Sequence, residues 1–384
     1  MSVNIPRVAL SMQLSLFETS SLQFLSSRYL SYPVDGQLKK FMMLATVIYD
    51  SLGTKPDAFV ARGRTGRPRA SFNAMFLASV ARCFFQIPTT KKLVGFLGMN
   101  GALREFCGFT RVPSEATFSR FLAVISERVD MDEVVGALAK DFYCGSVVGN
   151  ICRDSTTIAA NDKAIATGAR TNKDGPRQKR GRKKKGSPEE HEAQRKKQER
   201  EESNPLSLQA SQSPEQSIAC LNKKCAFGAK TNAKGVPEYA KGYKAHIDVT
   251  DNGIPTAFVI TGANVHDSRV SIPLEQLTSR RVTSLYTLSD SGYYSEKIDS
   301  YIASLGKVPL TDPAKRRKAV PFAAHEKLHF KTRTTVERTN SQMKLYYLPA
   351  IFTHGYKKFK FVVGLSLALI STVQMARIAA SKTA

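Results

Sequence analysis

Between residues 71 and 128 the apolar positions recur at steps of three and four, the period of an amphipathic helix. Ser71 is placed to cap a helix through Phe72, Met75, Phe76, Val80 and Phe84. Thr89 or Thr90 starts a shorter one through Leu93, Phe96 and Leu97, with Gly98 near its end, and a third covers Leu103 to Cys107. Pro113-Ser114 opens a fourth, carrying Thr117, Phe118, Phe121, Val124 and Ile125. Later the period changes to two. Val147 to Arg153 reads as a short strand ending at Asp154. Tyr243, Ala245, Ile247 and Val249 alternate with Lys244, His246, Asp248 and Thr250, Asp251-Asn252-Gly253 is a hairpin turn, and Ile254 to Thr261 returns as a strand. A helix from about His266-Asp267 to Leu277, a strand from Val282 to Ser289 ending at Asp290, a helix after Ser295 and a strand at Lys307 to Leu310 follow.

That order predicts an α/β fold: a mixed sheet of the RNase H type with flanking helices, preceded by an all-α N-terminal domain. The expected division is a helical domain at 1–140, whose short helices and tight turns suit either DNA contact or plain helical packing, and a mixed α/β domain at 141–384. An interruption at about 168–217 shows no apolar periodicity, so it cannot offset its chain entropy by burial and is expected to be disordered. Near the C-terminus the uncharged run Phe361 to Ala376 is shorter than the ~20 residues of a membrane span and is interrupted by Ser366, Ser371, Thr372 and Gln374. A buried helix, and no membrane partner, is the expectation.

Charge sharpens this picture. Fifty-seven Lys and Arg against thirty-two Asp and Glu leave a net charge of +25, which calls for a polyanionic partner, and nucleic acid is the usual one. Two tracts concentrate the surplus. Arg62, Arg64, Arg67 and Arg69 are spaced by small residues and a proline, an extended arm suited either to phosphates and a narrow minor groove or to a solvated linker. Residues 170–185, ending in Lys183, Lys184 and Lys185, hold nine Lys and Arg and one acid, which adds salt-dependent affinity for any DNA.

Six scattered cysteines form no CxxC and suit a reducing cytosol; Cys220 and Cys225 can open a zinc site, but no second pair follows at suitable spacing. The N-terminus shows no signal-peptide pattern. The expected place is the cytoplasm.

Two aspartates follow apolar strands directly: Asp154 in ICRDST and Asp290 in YTLSDSGYYS. Strand ends in α/β sheets open onto the crevice where ligands bind, so carboxylates there are placed to hold a hard cation, although a strand-end Asp is also a common cap. Asp162, Asp248, Asp251 and Asp267 are weaker candidates. Residues 331–347 read as one helix, with Arg333, Glu337 and Lys344 on one stripe and Val336, Met343 and Tyr347 on another. By geometry alone the charged stripe is an ordinary surface salt-bridge ladder.

Its company changes that reading. Phe330, Arg333, Glu337 and Lys344 are separated by two, three and six residues. This resembles the Tyr-Arg-Glu-Lys signature of one branch of the DDE transposases of bacterial insertion sequences, with Phe in place of Tyr. GYKAH (242–246), TGANVHDS (261–268) and SDSGYYS (289–295) are similar to the family's catalytic domain, and GRPRASFNAMFLASV and VPSEATFSRF to its N-terminal region. The resemblance covers about residues 60–165 and 220–380.

It implies a catalytic trio of Asp154, Asp290 and Glu337 holding two Mg²⁺ or Mn²⁺ ions roughly 3.5–4 Å apart, one activating the attacking oxygen and one stabilising the leaving oxygen. Arg333 and Lys344 would hold backbone phosphates, while Phe330, lacking a phenol hydroxyl, would offer only a stacking face. The implied reaction is hydrolysis at transposon ends, freeing 3′-hydroxyls that attack target DNA. The implied partners are double-stranded DNA, as terminal inverted repeats and target, and further copies of the chain, a homodimer or higher. A catalytically inactive, transposase-derived DNA-binding protein would share the basic tracts, and a plain nuclease would share the acids.

Overall fold

Strand β1 (Val148–Ala159) is the spine of the molecule: it pairs antiparallel with β3 (Pro237–Thr250) on one side and parallel with β5 (Ser284–Ser289) on the other. The computed structural model describes residues 36–52, 71–165, 206–231, 236–312, 322–348 and 354–383. The sheet runs β2-β3-β1-β5-β6, with β6 (Val308–Thr311) parallel to β5. The far edge of β3 is shared: β2 (Ala226–Thr231) pairs with its first half and β4 (Pro255–Gly262) with its second, both antiparallel. Four strands paired antiparallel, β1 to β4, continued by the two parallel strands β5 and β6, form the mixed, open sheet of an RNase H-like fold. The hairpin is the one read from Asp251-Asn252-Gly253: Gly253 has φ 80°, and its N–H donates to Thr250 O.

Alternation along β4 sorts the two faces. Ala257 and Val259 pack with Val270, Leu274 and Leu277 of a helix across one face, whereas Phe258 and Ile260 join the main core on the other. The main core is continuous with the N-terminal helices, α1 (Gly36–Asp50), α2 (Phe72–Phe84), α3 (Thr90–Met99), α4 (Gly101–Cys107), α5 (Glu115–Arg128) and α6 (Met131–Tyr143). The segments expected as separate domains therefore share one hydrophobic core. Thr89 caps α3 by accepting from Lys92 N–H, whereas Ser71 occupies the N-cap of α2 with no side-chain cap bond.

Four elements differ from the sequence expectation. Strand β1 does not stop at Asp154 but continues to Ala159, because β3 pairs with it throughout and only the parallel partner β5 ends there. Residues 206–219, read as part of the disordered stretch, carry α7 (Leu206–Gln209) and α8 (Pro214–Ala219). A reciprocal Ser213/Gln216 capping box starts α8, and Gln209 and Ser217 are fully buried. These short helices pack on α9 (Ser268–Ser279), followed in the chain by α10 (Glu296–Ser304). The single helix expected over 331–347 is instead α11 (Ala324–Lys331), α12 (Thr334–Gln342) and a π-helical turn at Met343–Tyr347.

The last difference is α13 (Tyr356–Thr383), 28 residues where a shorter apolar run was read. By length and composition it could cross a membrane, but 78% of its most apolar window is buried in the protein. It reaches the centre because Gly364 lies against Met131 and Phe258; a Cβ there would sit 2.2 Å from Met131 Cβ.

Candidate functional site

The parallel register of β1 and β5 brings the two aspartates together. Arg153 is paired with Ser289, so the next step along both chains sets Asp154 beside Asp290. Both are half-buried. Asp290 leaves the sheet as β5 ends, and its carboxylate accepts from Ser291 N–H at 2.7 Å at the head of a 3₁₀ turn, Ser291–Tyr293.

The third candidate acid, Glu337, lies on α12, which with α11 runs along the even-numbered face of β1. His329 Nδ1 meets Asn150 Oδ1 at 2.9 Å, Cys152 Sγ donates to Thr332 O at 3.3 Å, and Asn340 Nδ2 donates to Asp154 Oδ2 at 3.1 Å. Alternation along the strand makes 150, 152 and 154 one row, so three successive contacts fix the helices over it. Glu337 lies one helical turn before Asn340, on the side of α12 that approaches Asp154. Val336 and Met343 are fully buried and anchor α12, as their spacing suggested.

The Glu337 carboxylate is engaged in an ion pair. It is half-exposed and accepts from Arg333 Nη2 at 2.7 Å. The Arg333 guanidinium lies 5.8 Å from the Phe330 ring, which packs on Phe322 at 5.0 Å. Lys344 falls in the π-helical turn that follows α12, where it is exposed. Among the described residues no three His, Cys, Asp or Glu side chains gather closely enough to hold a metal ion. The donor set still suits a hard cation. The two aspartates offer oxygen ligands side by side, and the buried Asn340 Oδ1, on the side chain that holds Asp154, has no hydrogen-bond partner. Arg62, Arg64, Arg67, Arg69, Lys183, Lys184 and Lys185 lie outside the described residues.

Two polar networks beneath the aspartates were not legible as networks in the sequence. Arg153, next to Asp154 and on the opposite face, is fully buried with every N–H engaged. It holds Asp248 through Nε and Nη2 at 2.7 Å each, Glu275 through Nη2 at 2.8 Å, and Ser271 through Nη1. Lys307 Nζ closes the cluster on Glu275 at 2.8 Å. Burial alone would raise the Glu275 carboxyl, but Arg153 and Lys307 outweigh it and hold it below the usual carboxylate range. The weaker candidate Asp248 is thereby a structural acid.

The second network supports the Asp290 turn. Ser155 Oγ and Lys244 Nζ both donate to Asp267 Oδ1 at 3.0 Å, and a Cβ at Gly292 would lie 3.1 Å from Asp267 Oδ2. His246 bridges Tyr293 OH at 3.2 Å and Thr261 Oγ1 at 3.0 Å. Burial pushes His246 down to about 3, so the ring is neutral and its 3.6 Å approach to Asp267 is not an ion pair. Burial alone would raise the Asp267 carboxyl, but the neighbouring His246 and Lys244, with the hydrogen bonds from Lys244 and Ser155, outweigh it and hold it below its ordinary range. The available signal was Lys244 and His246 two residues apart on one strand face, polar where a core strand is normally apolar. Asp162 sits elsewhere, accepting from Tyr243 OH at 2.5 Å and from Gly355 N–H at 3.0 Å, a joint between the end of β1 and the start of α13.

Comparison with known families gives two matches. Residues 207–370 match the family described as "Transposase DDE domain", and residues 43–124 match "Transposase domain (DUF772)". The first span contains Asp290 and Glu337, while Asp154 lies upstream of it. Neither the curated proteins nor the solved structures contain a match to the chain. The Tyr-Arg-Glu-Lys branch is not distinguished by these matches. With one transposase domain over the N-terminal helices and another over the acid-bearing half, this chain belongs to the DDE-type transposases of insertion sequences.

Proposed function

We propose that this transposase binds the ends of its element, hydrolyses a phosphodiester there to free a 3′-hydroxyl, and joins that hydroxyl to target DNA. The carrying observation is the register of β1 with β5, which sets Asp154 beside Asp290, together with the Asn340–Asp154 bond that ties the Glu337 helix to the same sheet end. Asp154, Asp290 and Glu337 are the acids we assign to a divalent cation, Mg²⁺ or Mn²⁺. When bound, such an ion supplies Lewis-acid stabilisation of charge on the phosphate oxygens. Release of Arg333 from Glu337 leaves the carboxylate free to ligate and the guanidinium free to take a phosphate, so the two roles are coupled through one ion pair. Lys344 is assigned to a neighbouring phosphate. Phe330, already packed on Phe322 and beside Arg333, supports the guanidinium as well as offering a stacking face to DNA. The basic arm at 62–69 and Lys183, Lys184 and Lys185 are assigned to phosphate contacts further along the duplex. A homodimer or higher assembly would bring two ends together.

The test is a cleavage and strand-transfer assay on end-containing duplex. Asp154→Ala, Asp290→Ala and Glu337→Ala should each abolish metal-dependent cleavage while DNA binding persists. Each removes an acid and leaves the cationic surface intact. Normal cleavage by Asp154→Ala would remove the first acid from the assignment, and cleavage without joining in the unaltered chain would make it a nuclease. DNA binding without cleavage in the unaltered chain would favour the inactive, DNA-binding reading.

A further inference from the structure

A cleft of about 290 Å³ opens between α2, α3, α5 and the start of α13, away from the acids. Its floor is apolar, with Leu93 and Phe361 among the lining residues, and no Asp or Glu lines it. Arg82 and Lys358 are both in its wall. Arg82 is only 9% exposed, and its partners are two neutral carbonyls, Ile87 O at 3.1 Å and Pro88 O at 2.7 Å. Among the described residues no carboxylate pairs with it and Nη1 forms no hydrogen bond. A buried guanidinium is normally matched by an acid, because desolvating an unpaired charge is costly. Burial accordingly lowers its pKa, opposed only by the neighbouring Cys83 thiol and by no carboxylate. Lys358, half-buried, likewise pairs with no carboxylate among the described residues. Thr90, at the N-terminus of the ten-residue α3, adds a hydroxyl and the positive end of the helix.

We propose that this cleft is an anion site that takes a phosphoryl group, supplied by the backbone of bound DNA. Two unmatched cations, a helix N-terminus and hydroxyls around an acid-free hollow are complementary to a phosphate and to little else of that size. The inference rests on the DNA-cutting reading only for the source of the phosphate, and its test reads no catalysis.

The experiment uses the full chain, Lys358→Glu, and Lys357→Glu as a control on the exposed side of the same helix, where Lys357 already meets Glu127. In the first arm, melting is followed with sodium phosphate against sodium chloride at equal ionic strength. Phosphate should raise the melting temperature of the unaltered chain and of Lys357→Glu, but not of Lys358→Glu. In the second arm, affinity for an end-containing duplex is measured across salt concentration. Loss of one backbone contact should flatten the log–log slope by about 0.9 in Lys358→Glu alone. A lost phosphate shift with an unchanged DNA slope assigns the site to a free phosphate, and a flattened slope alone assigns it to DNA. Neither effect, or equal effects in Lys357→Glu, overturns the proposal.

Discussion

Glu337 accepts a hydrogen bond from Arg333 at 2.7 Å, and the pair is open to solvent on its acid side. An exposed i,i+4 pair contributes about 0–1 kcal/mol, so Arg333→Ala should leave the melting temperature nearly unchanged. If the guanidinium instead aligns the scissile phosphate, its loss slows cleavage by a large factor. Single-turnover cleavage beside thermal melting separates these roles, for Lys344→Ala as well. A large fall in melting temperature with cleavage preserved would return both cations to surface chemistry. His246 supplies a pH signature at the same scale. Its folded pKa of about 3 is depressed below the ordinary 6.5, so as pH falls through 6.5 the unfolded chain takes up the proton first. The contribution of His246 is therefore complete above that pH and is lost as pH falls toward 3. Between pH 6 and 4 the unaltered chain should lose up to about 1.4 kcal/mol per pH unit more than His246→Gln, measured by urea denaturation. Parallel pH profiles would mean that the ring is hydrated.

Among the elements, β1 does the most to place chemistry, and it does so through both of its faces. Even-numbered residues carry the α11–α12 contacts and Asp154, while Arg153 pins the strand from the other side to β3 and α9. Removing one member of a buried charge cluster leaves the others uncompensated, so Arg153→Met should cost about 3–5 kcal/mol in chemical denaturation. A change below about 1 kcal/mol would mean that water reaches Asp248 and Glu275. The sequence displayed β3, the 251–253 turn and β4 clearly, because a half-buried strand and a tight turn leave local signatures in residue type. It displayed the two aspartates as well, since each follows an apolar run. The Arg153 cluster was illegible because Arg153, Asp248, Glu275 and Lys307 come from four elements and meet only in three dimensions. The extension of β1 past Asp154 was hidden for a related reason: polar residues there are tolerated by pairing with β3 and not by burial. The break before α12 also carries no Gly or Pro to announce it; Thr332 ends α11 by side-chain bonding to His329 O.

At the scale of the whole molecule, the single core and the charge surplus divide the labour. The N-terminal helices, the sheet and α13 pack into one hydrophobic unit. The net charge of +25 contributes little to that packing and belongs to the partner instead. Nine of the cations fall in residues 170–185, a stretch outside the described residues and outside both family matches. Deleting it should weaken binding to any duplex and flatten the dependence of affinity on salt, because each phosphate neutralised releases counterions whatever the base. Discrimination between end and random DNA should survive, since reading sequence takes groups held at fixed positions against base edges. The measurement is a pair of salt titrations, one on an end-containing duplex and one on a scrambled duplex, for the deleted and the full chain. Equal loss on both, with the ratio of the two affinities unchanged, is the expected result. A ratio that collapses while total affinity holds would make the tract a sequence reader, and the basic surplus would then belong to specificity and not to general attraction.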